Sequence, residues 1–470
     1  MEKSKSKEQT KIGPMKFFSW VIQGTSLAVQ FVVLGYLMMY CTSALGLNAG
    51  VVGTVLLVTK IMDGVVDLFF GMIIDRTNTK WGRGRPYDLF IILLWGSTWA
   101  LFSVPLGLSN TLKYLWIFVF YTLAMSVARS LMQAAGLPYQ VRAFNNEQIY
   151  NKINGYGGIL SIGVVMLFNM KLPGLLFPIL SDASAWSRIT LMIAIPMTIL
   201  GLLRFFTVKE VYDDIDSHTD VVKFKDILAL FKMNKNILPL FLFQLTLNIT
   251  TGLSLNTYYY QYVTGDLSVM GTLAIFGMVP MVAMIFFPTI LKKVSVKHLI
   301  QLTSLSSIIT SFCLYFFPKN FVALAIAGIF WGFSSLAGSY MFTNMLIDAA
   351  NYNEWKGMPR MEGVIAGVNS FFNNTGSAIG TFAGGIILTI AGLQSGIEVQ
   401  TPETIAHIKV AFALVPTIGM LLASALLFFY KIDDVKPQMM SDLEKKREAS
   451  QANAAPDAVG AVAMNIEESE

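Results

Sequence analysis

Charge is what this sequence has least of. Of its 470 residues only 13% are Asp, Glu, Lys or Arg, about half the roughly 25% of an ordinary soluble domain. A chain so poor in charge cannot present a water-facing surface along its whole length. Histidine and cysteine are scarce as well, with His218, His298 and His407 in or near loops and Cys41 and Cys313 in separate apolar blocks. Neither set has metal-ligand spacing, so no metal centre and no disulfide framework is expected. HExxH, GxSxG and GxxxxGK do not occur. Their absence removes the commonest metalloprotease, hydrolase and phosphate-cradling signatures, and no enzyme activity or cofactor is expected. The net charge of +5 comes from basic loops and does not point to nucleic acid.

What is abundant is apolar surface: 54% of residues are hydrophobic and the mean hydropathy is +0.58. Twelve apolar blocks read as membrane-spanning helices, near 16–40, 50–74, 87–109, 113–140, 154–172, 188–208, 236–263, 268–291, 296–317, 321–347, 363–392 and 405–430. The first is too long for a signal peptide and has no small-residue cleavage site. A charged link over 209–235 separates two sets of six spans, which is the organisation of a two-half transporter around a central cavity. Residues 1–15 precede the first half (16–208), and residues 431–470 follow the second (236–430) as a charged, then Ala-rich tail expected to be disordered or loosely helical.

Loop charge sets the orientation. Lys3, Lys5, Lys7, Lys11 and Lys16 precede span one; Arg76, Lys80, Arg83 and Arg85 follow span two; Lys292, Lys293 and Lys297 follow span eight. The alternate loops hold only Lys113, Asp266 and Lys319. Both termini are therefore expected in the cytoplasm of a multi-pass protein of the cell membrane, a monomer in the lipid bilayer.

Span two contains Asp63 and Asp67 at i and i+4, with Lys60 on the same stripe. A charge at mid-bilayer costs about 2.5–3.5 kcal/mol on insertion scales, so such acids face the bundle interior and mark ion paths by default. The bland alternative is an ion pair with Lys60 that only holds helices together. Polar stripes recur at helical spacing: Gln23, Ser26 and Gln30 in span one; Arg129, Ser130 and Gln133 in span four; Gln244, Asn248 and Thr251 in span seven, before Tyr258; Asn344 in span ten; Asn373, Asn374 and Ser377 in span eleven. Singly, each is helix–helix glue. Together they suit the walls of a wet cavity that receives a small polar solute. Arg129 either neutralises Asp63 or Asp67 or binds an anionic group of that solute.

The loop after span two reads Gly71-Met-Ile-Ile-Asp75-Arg76-Thr77-Asn-Thr-Lys80-Trp-Gly82-Arg83-Gly-Arg85-Pro86. It resembles the cytoplasmic loop of the major facilitator superfamily. With the D-x-x-x-D before it, Leu137-Pro-Tyr139, and Asn351-Tyr-Asn-Glu354-Trp-Lys356 followed by Arg360 and Glu362, the chain resembles the glycoside–pentoside–hexuronide:cation symporters, relatives of melibiose permease. The resemblance covers nearly the whole membrane portion. It implies an all-α, twelve-helix symporter that takes up a sugar derivative with a proton or sodium ion. It also implies coupling at Asp63 and Asp67 with Ser130 as a further ligand, and a cytoplasmic gate of Gly71, Asp75, Arg76, Arg83, Arg85, Glu354 and Arg360.

The chain departs from the family pattern in places. Val66 and Leu68 stand where the family often has Asn and Pro, which removes an amide oxygen from any sodium shell and favours protons. Ser26, Gln133 and Asn374 replace its charged sugar-site residues, and the loop VRAFNNEQIYNKING after span four has Lys152 in place of the usual Glu-Arg. Alternatives are transport of a non-sugar amphipathic or anionic solute, or a receptor that keeps the fold without turnover.

Overall fold

The structure is a computed structural model that describes residues 12–77, 79–144, 147–211, 230–232, 234–280, 290, 293–358 and 361–446. Helix is what the apolar composition dictates, because a helix satisfies its own backbone polar groups where lipid offers none. Twelve crossing segments follow in order. In the first half they are α1 (Pro14–Leu34, then Leu37–Met39 and Tyr40–Ala44), α2 (Ala49–Arg76), α3 (Phe90–Leu101), α4 (Asn110–Tyr121 through Ser130–Phe144), α5 (Glu147–Leu176) and α6 (Ala183–Thr207). The second half has α7 (Leu238–Gly252, then Asn256–Tyr258 and Tyr259–Thr264), α8 (beginning Ser268–Leu273), α9 (Val296–Ser304 and Ser306–Phe316), α10 (Phe321–Trp355), α11 (Glu362–Ile390) and α12 (Pro402–Leu426). Among the described residues, seven helices are by themselves long and apolar enough to cross a membrane. α2 carries Lys60, Asp63 and Asp67 in its middle, and α3 is only 12 residues long.

Polar caps set where the crossings begin. The side chains of Asn48, Ser109, Asp182, Ser295, Asn320 and Thr401 each accept a hydrogen bond from a backbone N–H in the first turn of the helix that follows. At 35 residues, α10 is about 52 Å long at roughly 1.5 Å per residue, well beyond a hydrocarbon core of about 30 Å. Its last turns therefore project past the core, where residues 432–446 pack against them.

α1 and α7 are both interrupted, at corresponding places in the two halves. In α1 the chain tightens at Gly35 and Tyr36, whose N–H groups reach back to Val32 and Val33, before it widens into π-helical turns over Tyr40–Ala44. In α7 it breaks over 253–255, where Ser254 takes a left-handed φ of 54°, and resumes as wide turns over Tyr259–Thr264. Wide turns of this kind gather at functional sites, as does strained backbone.

α11 is wedged between α7 and α2 by small residues. A Cβ on Gly376 would come 2.6 Å from the Leu245 carbonyl oxygen, and one on Gly380 or Gly384 would strike those of Ile249 and Leu253. On its other side Gly385 meets Ala49, with a would-be Cβ 2.5 Å from that carbonyl oxygen. Stripes of this kind let backbones approach where lipid gives helices no hydrophobic reason to associate.

One expectation from sequence is corrected and a second is narrowed. The stretch VRAFNNEQIYNKING is helical on both sides of 145–146, with Phe144, Ile149 and Ile153 packed around Trp20 and Tyr139. In the tail, 432–446 is helical: it forms a further helix, α13, that buries Ile432, Met439 and Leu443 against the second half. Lys436 Nζ lies 2.5 Å from Asp348 Oδ2, and the Trp355 indole N–H donates to Asp442 at 2.9 Å. Most of the expected link, 212–229, and the end of the tail, 447–470, lie outside the described residues.

Candidate functional site

A chamber of about 670 Å³ lies where the interrupted helices meet, within the range of about 300–1,000 Å³ of small-molecule sites. Both interruptions line it, Leu34 to Met38 from α1 and Gly252 to Asn256 from α7. Interrupted helices at matching positions of two halves are where transporter folds place their substrate sites. The first half adds Phe31, Leu56, Lys60 and Tyr121. The second half adds wall from all six of its helices, including Tyr260, Trp331, Ser377 and Phe412. Lys60 is the one charged side chain among the described residues of the wall.

The ammonium of Lys60 crosses from α2 to α11, donating to Ser377 Oγ at 2.7 Å and Thr381 Oγ1 at 3.4 Å. Further contacts between the halves gather at the end opposite the termini. The hydroxyls of Thr42 and Tyr258 are 2.8 Å apart, joining the outer pieces of α1 and α7. The Gly396 N–H donates to the Thr42 carbonyl at 2.8 Å, and the Gly50 N–H donates to Thr389 Oγ1 at 3.1 Å. Ser181 Oγ donates to Glu398 at 2.9 Å. The chamber is shut on that side.

Of the polar residues expected to wall the cavity, Asn248, Thr251 and Ser377 line the chamber, Asn248 with its amide N–H₂ turned to the Gln244 carbonyl. Ser26 is packing: it accepts from the Trp95 indole at 2.8 Å and donates to the Met197 carbonyl at 3.0 Å. Gln30 holds Thr98 and accepts from Arg129 at 2.8 Å. Arg129 also donates to the Leu27 carbonyl and sits 5.4 Å from the ring centre of Phe31, so it stands behind the wall. Gln23 is buried in α1 away from the chamber. Tyr258 is fully buried and serves the closed side through Thr42. Gln133, Asn344 and Asn374 are exposed and Asn373 half-buried, all outside the chamber wall. Ser130 donates to the Met125 carbonyl at 3.3 Å.

The side chains of Asp63, Asp67, Gly71, Asp75 and Arg76 lie outside the described residues, as does Arg360. Their helix is described, and it places Asp63 and Asp67 one and two turns below Lys60. At the loop after α2, the backbone N–H groups of Arg83, Gly84 and Arg85 all donate to the Glu210 carboxylate at 2.7–2.9 Å, and Arg85 Nε donates to the Phe205 carbonyl. The basic loop is thereby tied to the end of α6. Glu354 is half-buried at the end of α10.

Sequence reasoning missed Glu210, Thr42, and the aromatic wall of Phe31, Tyr121, Trp331 and Phe412. An aromatic residue in an apolar run carries no signal of its own. Glu210 could have been suspected, as an acid just past a span and opposite a loop rich in Arg.

Twelve crossing helices in two halves of six, meeting around one shared chamber, are the architecture of a secondary transporter of the major facilitator type, not of an enzyme. The profile of the MFS/sugar transport protein family matches residues 24–434, and the chain belongs to that family. It is 26% identical to the isoprimeverose transporter of Lactiplantibacillus pentosus, over 94% of this chain and 93% of that protein. It is also 26% identical to a glucuronide carrier protein homolog of Escherichia coli (strain K12), over 88% of this chain and 92% of the other. The fold is similar to that of the nucleoside transporter NupG, with a TM-score of 0.61 at 13% identity, covering 88% of this chain and 99% of that one. A bacterial homolog of the lysosomal transporter Spinster gives 0.62 at 13% identity, covering 90% and 98%.

Proposed function

We propose that this chain imports glycosides across the cell membrane by alternating access, coupled to protons, as a monomer with both termini in the cytoplasm. The observation that carries the proposal is the stripe Lys60, Asp63, Asp67 on α2, with the ammonium of Lys60 reaching across to Ser377 of the other half at the chamber wall. Two intramembrane acids beside a cation that bridges the halves can link a proton to the parting of those halves. Val66 and Leu68 offer no side-chain oxygen to complete a shell for sodium, and hard cations take about six or more oxygen ligands. The similarity to an isoprimeverose transporter and a glucuronide carrier homolog supports a sugar derivative as the solute. Basic loops on the side of the termini support the cytoplasmic assignment of that side.

The test is uptake of labelled xylosides, glucosides, galactosides and glucuronides into proteoliposomes under imposed proton or sodium gradients. A proton gradient is expected to drive accumulation of at least one glycoside. Asp63→Asn and Asp67→Asn should each reduce that accumulation to the equilibrium level while the protein still inserts. Equal accumulation by wild type and both variants would sink the coupling role, and no uptake of any glycoside would sink the substrate class. A second reading, an acidic glycoside, is favoured by one observation: among the described residues, the charged side chain on the chamber wall is a cation. The glucuronides in the panel decide it.

A further inference from the structure

The chamber is lopsided. Its first-half wall is Phe31, Tyr121, Lys60 and the interruption of α1, but it runs on into the second half as an arm between α7, α8, α9, α10 and α12. Three aromatic residues face that arm: Tyr260, Trp331 and Phe412, with the rings of Tyr260 and Phe412 edge to face at 6.4 Å between centres. Among the described residues the Tyr260 hydroxyl and the Trp331 indole N–H have no protein partner. The two threonines of the arm are already committed as donors, Thr310 to the Ala327 carbonyl at 3.2 Å and Thr417 to that of Ser307 at 3.1 Å.

We propose that this arm is an aglycone subsite that takes the flat, apolar substituent of a glycoside whose sugar ring sits at the seam beside Lys60. The inference rests on the glycoside reading above. A second sugar ring fits the arm poorly. Nearly every carbon of a sugar carries a hydroxyl, each of which loses free energy if it leaves water without a partner, and the arm offers few free polar groups. An aromatic ring loses nothing by that and gains offset or edge contacts with Trp331 and Phe412. The hydroxyl of Tyr260 and the indole N–H of Trp331 then serve a single polar group on the aglycone, which a methyl glycoside lacks.

The experiment is titration calorimetry of the purified full-length protein with methyl and phenyl glycosides of xylose, glucose and galactose, and with cellobiose. Phenyl glycosides are expected to bind about tenfold tighter than the methyl glycoside of the same sugar. Phe412→Leu and Trp331→Leu, which keep the arm apolar, should each cut that ratio severalfold and leave methyl glycoside affinity within about twofold. That retained affinity also shows that the variants fold. A ratio unchanged by both substitutions, or no phenyl preference in the wild type, overturns the subsite while leaving glycoside transport standing. A gain for cellobiose equal to that for the phenyl glycoside overturns the aglycone assignment in favour of a second sugar. Binding of none of these compounds brings down the glycoside reading itself, and the subsite with it.

Discussion

Asp88 is 1% exposed and Arg204 5%, beside the rings of Trp20 and Tyr139 and with Arg85 and Glu210 as further charged neighbours. Arg204 donates to both carboxylate oxygens of Asp88, through Nε at 2.9 and 3.1 Å and through Nη2 to Oδ1. Its guanidinium also lies 4.6 Å from the ring centre of Trp20 and 5.0 Å from that of Tyr139. A pair so enclosed contributes little net stability over an apolar replacement, but removing one partner strands the other charge. Asp88→Asn is therefore expected to destabilise the protein by about 3–5 kcal/mol. The double variant Asp88→Leu with Arg204→Met should recover much of the loss. Thermal unfolding followed by a thiol-reactive dye checks both, and a single substitution that leaves Tm unchanged would refute the stranded-charge account. The pair was invisible to sequence reading because its partners lie 116 residues apart in the chain. Lys60 was legible as a buried charge in an apolar run, but its acceptors were not, since any of the hydroxyls in the other half could have faced it.

At the scale of the element, α13 shows how a polar sequence becomes a structural part. The run over 432–446 carries as many charges as a soluble helix, yet Ile432, Met439 and Leu443 fall on one face and pack under α7, α10 and α12. Trp355 and Asp348, at the projecting end of α10, hold it through Asp442 and Lys436. Burying an apolar side chain of leucine size contributes about 1.5–3 kcal/mol. Leu443→Asp should therefore release the helix, which limited trypsin digestion would register as faster cleavage at Lys431 and Lys445. Unchanged digestion would mean that the helix is held by its polar contacts alone. The twelve crossings themselves were readable, because length and hydropathy are what lipid selects. The interruptions of α1 and α7 were not. Gly35 is one glycine among 37, and Ser254 is a residue with no special claim to φ 54°. The break comes from packing, where α11 brings its glycines against the last carbonyls of α7. The helical α4–α5 connection was missed, and α13 was legible only as a loose helix or disorder, for the opposite reason: polar composition reads as loop unless a partner surface is known.

Across the whole molecule the two halves repeat one device with opposite charge. In the first half an acid at the start of α3, Asp88, meets a base at the end of α6, Arg204. In the second, a base at the start of α9, Lys297, meets the Tyr430 carbonyl at 3.0 Å and Asp434 at 3.5 Å, just past α12. The Lys297 N–H also donates to Asp433 at 3.0 Å. Each half is thus pinned within itself on the side of the termini, while the bonds between halves gather at Lys60 and beyond. Alternation then amounts to breaking the outer set while each half stays whole. The Thr42–Tyr258 hydroxyl pair is the element of that set most easily removed without changing shape. One neutral hydrogen bond contributes about 0.5–1.5 kcal/mol net, which would shift a two-state balance by roughly two- to tenfold. Thr42→Val combined with Tyr258→Phe is therefore expected to raise labelling of Asn256→Cys by an impermeant maleimide added outside intact cells, by that factor. The same pair should change thermal stability little, because Tyr258 loses its partner along with its hydroxyl and Thr42 otherwise reaches only the Met38 and Met39 carbonyls of its own helix. Labelling that stays at the wild-type rate would show that the pair closes nothing, and that the outer side is held by the glycine-packed seam of α2 and α11 instead.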